Sequence, residues 1–534
     1  MKKNKAITTP WGQAKSAYFN FDLIEAYYAY QEPAKAAYLL SDRTVQDLDM
    51  KAFFRFLDRT HSAVGQQYLY ARLRRLDTTA EDLKVLENRI QHFQNNEKAR
   101  LAAQKVLKHL SKGDDYFLPF LIYGELPPKL KFIQAVQVLK WVVPISIVFL
   151  LFYPYFLFPL LLFLLINTFL HYWHKKRIGD FVDIFSRLKK LSETSQKLLP
   201  HAGFSEKEQQ HLQSSIKTVN QLTKKTNVLA THLLQNNDAA AVAWLIAEIF
   251  KIIALQEITT FHQVVDEIEA KREDIHALFK ATGKVDMALS VASLRAGLPH
   301  YSQPHFTPPQ KEIQLKELYH PLVDNCVAND LHLHHKSLLL TGSNMSGKST
   351  FIKAINLNII TSQTLNTSFT QYYKAPIFNL ATSIQIRDVI TEGRSYYMEE
   401  VATIGELLSA SKTQTPQFLF TIDEVFKGTN TIERISSAKA ILEYLNRDDH
   451  MVLVSTHDIE LTQLLGEGFD LYYFQESIDN QSLSFDYTLR QGALQKRNAI
   501  NILEIAGYPA SIVEEAQRLA LQFENEKMGA SNRL

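Results

Sequence analysis

One short segment, residues 341–350, limits the possible folds of this chain more than any other. It reads Thr-Gly-Ser-Asn-Met-Ser-Gly-Lys-Ser-Thr, follows the apolar run Leu338-Leu339-Leu340 and precedes a stretch compatible with a helix. A glycine-rich turn between a strand and a helix directs backbone N–H groups and the positive end of the helix toward one point. The order of strand, loop and helix therefore predicts an α/β domain with a phosphate-binding loop, and it makes a chance glycine turn the less favoured interpretation.

The residues of this loop have predicted roles in holding a nucleoside triphosphate. The glycines permit the backbone path, Lys348 reaches the β- and γ-phosphates, and Ser349 gives its hydroxyl to Mg²⁺. The helix from Thr350 onward directs its N-terminus at the phosphates. The loop by itself does not distinguish ATP from GTP. The predicted nucleotide contacts in the loop are Gly342, Ser343, Asn344, Met345, Ser346, Gly347, Lys348, Ser349 and Thr350.

Length and composition bound the rest of the chain. Its 534 residues are enough for three or so domains of ~150 residues each. The 46% hydrophobic and 21% charged residues are typical of a globular chain, and the net charge is only +2, so a nucleic-acid-binding face would have to be local. The single cysteine, Cys326, excludes an intramolecular disulfide framework and fits a reducing compartment. No apolar stretch follows the first basic residues, so no secretory signal is expected.

Two further predicted strands end in residues suited to catalysis. Residues 418–424, Phe-Leu-Phe-Thr-Ile-Asp-Glu, form an apolar run that ends in two carboxylates, at the edge where open α/β sheets bind ligands. Asp423 would hold Mg²⁺ through its water shell, and Glu424 would polarise the attacking water. Residues 451–458 predict another buried strand that ends at His457, which could sense the γ-phosphate. A lone histidine after a strand is equally well explained as structural.

Two turns accompany these strands. Residues 391–400 contain Gly393 and Ser395 ahead of a helix, and residues 428–431 read Gly-Thr-Asn-Thr directly after the acidic pair. Phosphate loop, Gly/Ser signature, acidic strand, Gly-Thr turn and histidine follow one another as in ATPases that work in pairs. In such a pair, Gly393 and Ser395 supply N–H and hydroxyl donors to the γ-phosphate in the partner's site. The layout predicts that dimerisation is part of catalysis.

Together, these motifs resemble the ATPase domain of the MutS family of DNA mismatch-repair proteins. The resemblance rests on the phosphate loop, the Gly393-Arg394-Ser395 turn, residues 422–431 and Ser455-Thr456-His457, and it extends over residues 45–110 and 240–525. It implies ATP and Mg²⁺ as cofactors, ATP hydrolysis, a homodimer and DNA as a partner. The implied role is mismatch repair or the control of recombination.

The resemblance also implies a multidomain architecture. A mainly α-helical core and lever domain would precede an α/β P-loop ATPase domain of ABC type and a C-terminal helical dimerisation element. The predicted parts are an N-terminal segment (1–40), the first part of the helical core (41–140), a hydrophobic membrane-hairpin candidate (141–174), the second part of the core with the lever (175–295), the ATPase domain (296–508) and the dimerisation element (509–534).

The chain departs from the family pattern in several places. The segment 1–40 is shorter than a typical domain of ~50 or more residues, so the mismatch-recognition and connector domains are expected to be missing. Residues 178–270 leave little room for a separate DNA-clamp domain, and the polar stretch 205–237 is expected to be a solvated helical arm. Cys326 falls about where the family often places an aromatic ring. We therefore predict Tyr487 as the contact for the adenine.

An uncharged apolar segment, residues 141–170, has no counterpart in this resemblance. One straight helix would measure ~45 Å against a hydrocarbon core of ~30 Å, and Pro144, Pro154 and Pro159 argue against it. A hairpin that turns near the last two prolines fits better. Lys and Arg flank both ends, and cationic flanks stay cytoplasmic. We therefore expect residues 141–174 to form a re-entrant or double-pass anchor at the cytoplasmic face of a membrane. The alternative is a buried apolar hairpin or a dimer contact.

Two other functions are compatible with the sequence. A transport-type ATPase that does not act on DNA would combine the nucleotide site with the apolar segment, although one short apolar segment cannot line a pore. A membrane-bound scaffold would use the nucleotide as a switch without appreciable turnover. Measurements of hydrolysis and of DNA binding distinguish these functions from the one that the MutS resemblance implies.

Overall fold

The chain is described here by a computed structural model. The residues that it describes are 11–31, 39–229, 238–343, 345–385, 396–412, 417–426, 429–479, 482–494, 500, 503 and 507–531. Their contacts divide the chain into two compact units. The first comprises Met1–Lys35, Leu57–Arg72 and Lys84–Gly297, and the second comprises Ala36–Phe56, Leu73–Leu83 and Leu298–Leu534. The expected combination of helical and α/β structure is confirmed, whereas the bounds of the six predicted parts stay a prediction.

Helices and strands are numbered along the chain. The helices are α1 (Phe21–Tyr30), α2 (Asp42–Asp47), α3 (Met50–Leu57), α4 (Ala63–Leu73), α5 (Ala80–Asn95), α6 (Glu97–Leu107), α7 (Leu118–Tyr123), α8 (Ile133–Leu150), α9 (Leu157–Leu198), α10 (Glu206–Leu229), α11 (Asp238–Ile253), α12 (Gln256–Ala270), α13 (Arg272–Gly297), α14 (Lys348–Leu365), α15 (Tyr396–Ala410), α16 (Thr431–Leu445), α17 (Glu460–Leu464) and α18 (Ala510–Ser531). The strands are β1 (His305–Thr307), β2 (Glu312–Leu318), β3 (Asn329–His334), β4 (Ser337–Thr341), β5 (Tyr372–Pro376), β6 (Asn379–Ser383), β7 (Phe418–Asp423), β8 (Met451–Thr456), β9 (Phe469–Tyr473), β10 (Glu476–Asp479), β11 (Ser482–Phe485) and β12 (Arg490–Gln491).

The first unit is helical and contains a buried polar node. The carboxylate of Asp286 on α13 is fully buried and accepts hydrogen bonds from the backbone N–H groups of His61 and Ser62, each at 2.8 Å, and from the Ser62 hydroxyl at 2.5 Å. Burial raises the pKa of Asp286 to about 6. These bonds fix the start of α4 against α13, because a buried carboxylate needs its donors in place.

The polar stretch 205–237 contributes to the core of this unit. Its described helix, α10, packs against α9, α12 and α13. The side chains of Leu212, Ile216, Val219 and Leu222 are buried, and their spacing of three or four residues forms one apolar stripe. The expectation of a solvated arm is therefore wrong for this face of α10. Four apolar side chains at helical spacing are enough to bury the face, although most residues of the stretch are polar.

The apolar segment forms a hairpin of two helices, α8 and α9. The chain turns at residues 151–156, where a 3₁₀ turn begins at Pro154. Pro144 lies inside α8, and Pro159 lies in the first turn of α9, where a missing N–H costs no helical hydrogen bond. Only Pro154 thus marks the turn. Both helices extend beyond the predicted bounds of 141–174, because hydropathy detects the uncharged part of a helix and not its ends.

Two segments within the described residues are long and apolar enough to cross a membrane, judged by length and composition. They are Ile133–Leu150 and Pro154–Gly179, and the most apolar 18-residue stretch of each has a mean hydropathy of 1.8 and 1.7, respectively. The core helix of a soluble protein passes the same test when it is mostly buried. In these 18-residue stretches only 17% and 11% of the residues are buried, so their apolar side chains have little protein to cover them.

The second unit is built on a six-stranded sheet in the order β12-β9-β4-β8-β7-β6. All neighbouring strands are parallel except β12, which pairs antiparallel to β9. Strands β4 and β8 are buried at every residue, as expected for a parallel sheet covered on both faces. Thr341 pairs with Thr456, and Asp423 pairs with Ser455. The carboxyl ends of β4, β7 and β8 therefore meet at one edge, as the sequence predicts.

The second unit also contains two smaller sheets. A polar contact fixes its longest buried helix, α14. The first sheet has the mixed order β1-β5-β2-β3, and the second pairs β10 with β11. On α14, the fully buried Asn356 donates from Nδ2 to the hydroxyl of Thr421 in β7 at 2.9 Å. This bond fixes α14 on the sheet, and with it the loop that precedes the helix.

Helix α2 also belongs to the second unit, although it comes from the N-terminal part of the chain. Asp47 at its end is 1% exposed. Its carboxylate accepts hydrogen bonds from the hydroxyl of Thr382 at 2.7 Å and from the backbone N–H groups of Ile384 and Gln385, each at 3.0 Å. Arg43 of the same helix pairs with Glu399 of α15 at 2.8 Å. Helix α2 thus joins the end of β6 to α15.

Candidate functional site

The loop between β4 and α14 closes around the ammonium group of Lys348. Its Nζ donates to the carbonyl oxygens of Gly342 and Ser343, each at 2.8 Å. Gly342 has φ +148°, and a Cβ atom there would lie 2.8 Å from the carbonyl oxygen of Phe474. Gly347 has φ +99° and ends the loop directly before α14. Both positions need glycine, since a side chain would be strained or would clash.

Three oxygen groups converge next to this loop. The hydroxyl of Ser349 donates to Asp423 Oδ2 at 2.5 Å, and the hydroxyl of Ser455 donates to the other carboxylate oxygen of Asp423. Oxygen ligands from a hydroxyl and a carboxylate are those that Mg²⁺ prefers beside phosphates. The donor set thus fits the predicted metal pair Ser349 and Asp423, and the structure adds Ser455, which orients the carboxylate.

Glu424 adopts a backbone conformation that is unusual for a residue with a side chain. Its φ is +63°, in the left-handed region, and its N–H bonds the carbonyl oxygen of Ser455 at 2.8 Å. The left-handed conformation costs of order 1–3 kcal/mol of folding free energy, and it turns the Glu424 side chain out of the strand. Glu424 Oε1 lies 2.8 Å from His457 Nε2. The pair is only partly buried, so water can reach the carboxylate.

Residues around the pair fix the segment that follows His457. Arg434 of α16 pairs with Asp458 at 2.6 Å, and this hydrogen bond raises the pKa of Arg434. The Thr456 hydroxyl accepts from the Asp458 N–H at 3.0 Å. Of the predicted turn at 428–431, Asn430 is the N-cap of α16 and accepts from the Glu433 N–H. Gly428 lies outside the described residues.

A cavity of about 490 Å³ opens beside the loop. Met345, Ser346, Lys348 and the residues between and after them line one wall, and Tyr487 and Cys326 line the others. The predicted adenine contact, Tyr487, is thus brought to the loop residues, with its ring 3.3 Å from where a Cβ of Gly347 would lie. The cavity is large enough for a nucleotide.

Asn329 positions Tyr487. Its Nδ2 donates to the Tyr487 carbonyl at 2.9 Å, and its Oδ1 accepts from the Leu489 N–H at 2.6 Å. These two bonds hold a residue whose φ is +51°. On the opposite side, Cys326 Sγ accepts from the His320 N–H at 3.3 Å. Burial lowers the pKa of His320 to about 4, so this ring is neutral at physiological pH.

The structure brings most of the predicted site residues to one sheet edge. Gly342, Ser343 and the residues from Met345 to Thr350 lie in or beside the loop, and Asp423, Glu424 and His457 lie at the ends of neighbouring strands. Asn344, Gly393 and Ser395 lie outside the described residues, so nothing tests the in-trans signature. The catalytic and binding roles of all these residues stay predictions.

Sequence reasoning missed three residues that shape the site. They are Ser455, Asn329 and His320. Each lies in a segment that carries the MutS resemblance. The role of Ser455 depends on Asp423, 32 residues away, that of Asn329 depends on Tyr487, 158 residues away, and that of His320 depends on burial. Only Ser455 gave a usable signal, because a hydroxyl at the end of a strand beside an acidic strand is placed to bond the acid.

This arrangement defines the second unit as an α/β domain of the P-loop class. The family model described as MutS domain V matches residues 338–524. The DNA mismatch repair protein MutS of Fervidobacterium nodosum is 30% identical over 280 residues, which are 50% of this chain and 33% of that protein. The protein of the same name from Listeria welshimeri is 30% identical over 51% of this chain and 32% of its own length. The one from Methanothrix thermoacetophila is 28% identical over 49% of this chain and 31% of its own length.

Residues 338–524 match the model of MutS domain V, and the C-terminal half of the chain is similar to MutS proteins. The match covers about a third of the length of each of these relatives. The resemblance seen in the motifs is confirmed for this half.

The buried ammonium group of Lys348 leads to a first prediction. Lys348→Ala is expected to weaken ATP binding at least ~10-fold, because charge-assisted hydrogen bonds contribute ~1.5–3 kcal/mol each. The measurement is titration of the full-length protein with a fluorescent ATP analogue. Lys439→Ala is the matched control, since Lys439 lies on α16 and pairs with Glu443 at the surface. Equal affinities of the two variants would contradict a phosphate-binding role for Lys348.

Proposed function

We propose that this protein is a Mg²⁺-dependent ATPase that works as a homodimer on DNA, in mismatch repair or in the control of recombination, and that it is held at the cytoplasmic face of a membrane. The observation that carries the ATPase part is the Glu424–His457 pair, 2.8 Å apart, beside the Ser349–Asp423 contact. The family of the C-terminal half, in which the named relatives are mismatch-repair proteins, supports the DNA part.

Within one subunit, each group of the site has a separate task in hydrolysis. When ATP binds, the ammonium group of Lys348 exchanges its hydrogen bonds to two loop carbonyls for contacts with the β- and γ-phosphates. Ser349 and Asp423 would hold Mg²⁺, which would supply positive charge to the phosphates. Glu424 orients and polarises the attacking water, and His457 holds the Glu424 carboxylate in place and senses the γ-phosphate. Tyr487 covers the adenine.

The homodimer is proposed from the layout of the motifs. Gly393 and Ser395 of one subunit would complete the site of the other, and α18 would contribute to the dimer contact. Helix α18 exposes two large apolar side chains among its described residues, Ile512 and Leu519, and a further partner would cover them. Closing of the dimer on ATP would be coupled to the grip on DNA.

Binding of DNA is tested by a salt series. The full-length protein is titrated with homoduplex, mismatched and branched DNA, with and without ATP, at increasing salt concentration. Contacts to phosphates release counterions, so log affinity is expected to fall linearly with log salt. Preference for branched over homoduplex DNA would support a role in recombination, and preference for mismatches would support repair. Absence of salt-dependent binding to all three would contradict the DNA assignment and favour the scaffold or transport alternatives.

The proposed membrane association is supported by the distribution of polar residues in the hairpin. Along α8 and α9 the polar side chains of Ser146, Asn167 and His171 are buried, whereas apolar side chains such as Leu165 and Phe169 are exposed. This is the reverse of a water-soluble helix and is what a hydrocarbon environment favours. At the turn, the N–H groups of Leu151, Phe152 and Tyr153 bond carbonyls of α8. Backbone groups that are bonded internally are a requirement in lipid.

Charged residues on the exposed face of the hairpin are expected to release the protein from membranes. In the double variant Leu161→Asp, Leu165→Asp, each charge costs ~2.5–3.5 kcal/mol in the hydrocarbon core. The wild type should sediment with membranes and require detergent for release, and the double variant should shift to the soluble fraction. Leu101→Asp is the control, because Leu101 is exposed on α6, outside the hairpin. A wild type that is soluble without detergent would contradict the anchor.

A further inference from the structure

We propose that α11 is a third membrane-contacting element, which lies at the boundary between lipid headgroups and acyl chains beside the hairpin. This inference rests on the membrane association proposed for α8 and α9. Helix α11 has 16 residues, too few to cross a bilayer, and no sequence motif marked it as a membrane segment. It packs against α9, α8 and α12 within the first unit.

The described side chains of α11 have their polar groups inside and their apolar groups outside. Glu248 and Lys251 are 3% and 4% exposed, whereas Leu245, Ile249 and Phe250 are 54%, 48% and 64% exposed. A helix on the surface of a soluble unit turns its charges to water and its apolar side to the core. The reversed pattern continues that of α8 and α9, so the three helices share one environment.

The charges of α11 are neutralised between the helices. Glu248 Oε1 lies 2.5 Å from Lys175 Nζ and 3.1 Å from His171 Nε2. Lys251 Nζ lies 3.8 Å from Glu248 and 3.7 Å from Glu257 of α12. Two ammonium groups thus compensate two carboxylates. Buried charges need such partners, and the cluster attaches α11 to α9 without exposing a charge on the outer face.

The same carboxylates and His171 lie close enough together to ligate a metal ion. A divalent cation would add two positive charges to a cluster in which the two lysines already balance the two glutamates. Such an excess of charge is costly where water is excluded. We therefore assign the cluster to the attachment of α11 and not to metal binding.

Contacts with α9 give the depth of α11. Asn167 Nδ2 donates to the carbonyl of Ile253 at 3.1 Å, and Lys175 bonds Glu248, so residues 248–253 run alongside residues 167–175 of α9. This stretch of α9 includes the exposed Tyr172 and Trp173 and is followed by basic residues. Aromatic rings beside basic residues are typical of the membrane interface. The tip of the hairpin, ten residues or more away on α9, lies ~15 Å deeper.

A second copy of the chain is the competing partner for this face. The exposed apolar side chains continue from α11 onto the outer sides of α8 and α9, so a protein partner would have to cover three helices at once. Lipid covers such a surface without complementary shape. The basic residues that follow Trp173 also suit anionic lipid headgroups.

Site-specific labelling distinguishes these possibilities. The only cysteine, Cys326, is replaced by serine, and single cysteines are introduced in the full-length protein at Ile249, Phe250, Leu161 or Leu101 and labelled with the environment-sensitive fluorophore NBD. Labelled proteins are bound to vesicles of phosphatidylcholine and phosphatidylglycerol that carry a doxyl quencher either near the headgroup or near the end of the acyl chain. Far-UV circular dichroism verifies that each variant is folded, and two α11 positions guard against a local disturbance.

We expect the labels at Ile249 and Phe250 to emit at shorter wavelength and to be quenched more strongly by the shallow quencher. The Leu161 label should be quenched more strongly by the deep one, and the Leu101 label by neither. Quenching at Leu161 without quenching at either α11 position would overturn this inference and leave the hairpin anchor intact. An emission shift at α11 without lipid quenching would also overturn it, in favour of a second copy. Absence of quenching at all positions would overturn both proposals.

Discussion

Replacement of Glu424 by glutamine is expected to lower the rate of ATP hydrolysis by about 10²–10⁴-fold, the range that a positioned general base contributes. Glutamine has nearly the same shape, but it cannot accept a proton from the attacking water. ATP affinity should stay within a few-fold of the wild type, because Glu424 does not line the nucleotide cavity. The measurement is phosphate release by the full-length protein at saturating ATP and Mg²⁺, together with a direct binding titration.

Glu443→Gln is the matched control for this variant. Glu443 lies at the surface of α16, 2.7 Å from Lys439, so the same chemical change there should leave hydrolysis unchanged. A wild-type rate already as low as that of Glu424→Gln would contradict the enzyme assignment. It would favour a scaffold in which the nucleotide acts as a switch, provided that binding is retained.

Removal of the Asp47 carboxylate is expected to destabilise the second unit by at least ~3 kcal/mol, because three donors lose their buried acceptor and each costs ~1–3 kcal/mol. The Asp47→Ala variant leaves the hydroxyl of Thr382 and the N–H groups of Ile384 and Gln385 without their acceptor. Since a chain of two units need not unfold in one step, the readout is the urea concentration at which ATP binding is half lost.

A surface aspartate in the same unit provides the control. Asp449→Ala changes an exposed side chain, and substitutions of that kind stay within ~0.5 kcal/mol. Asp47→Asn should fall between the two variants, since an amide oxygen still accepts but only at one of the two positions. If Asp47→Ala loses ATP binding at the same urea concentration as Asp449→Ala, α2 contributes no stability to the nucleotide-binding unit.

Those parts of the fold that are determined by short segments of the sequence could be predicted. The loop at 341–350 and the strands that end at Asp423 and near His457 could be predicted, because each is a short apolar run with polar residues at a fixed end. Their meeting at one edge follows from parallel pairing alone. The resemblance to the MutS ATPase domain likewise follows from the order of these motifs.

Other parts depend on contacts between distant segments. Nothing near Asp47 in the sequence indicates that α2 packs against β6, more than three hundred residues later. The inward orientation of Glu248 and Lys251 depends on partners supplied by α9 and α12. The burial of one face of α10 was missed because only four apolar residues form it and the rest of the stretch is polar.

The length of α9 has a mechanical consequence. It is one uninterrupted helix of 42 residues, ~63 Å long, and its two ends lie in the apolar hairpin and among the helices of the first unit. A helix of this kind is stiff over its own length. A change of about 5° in its tilt at one end displaces the other by ~5 Å, given its rise of ~1.5 Å per residue. Whatever holds the apolar end therefore restricts the angles that the other end can adopt.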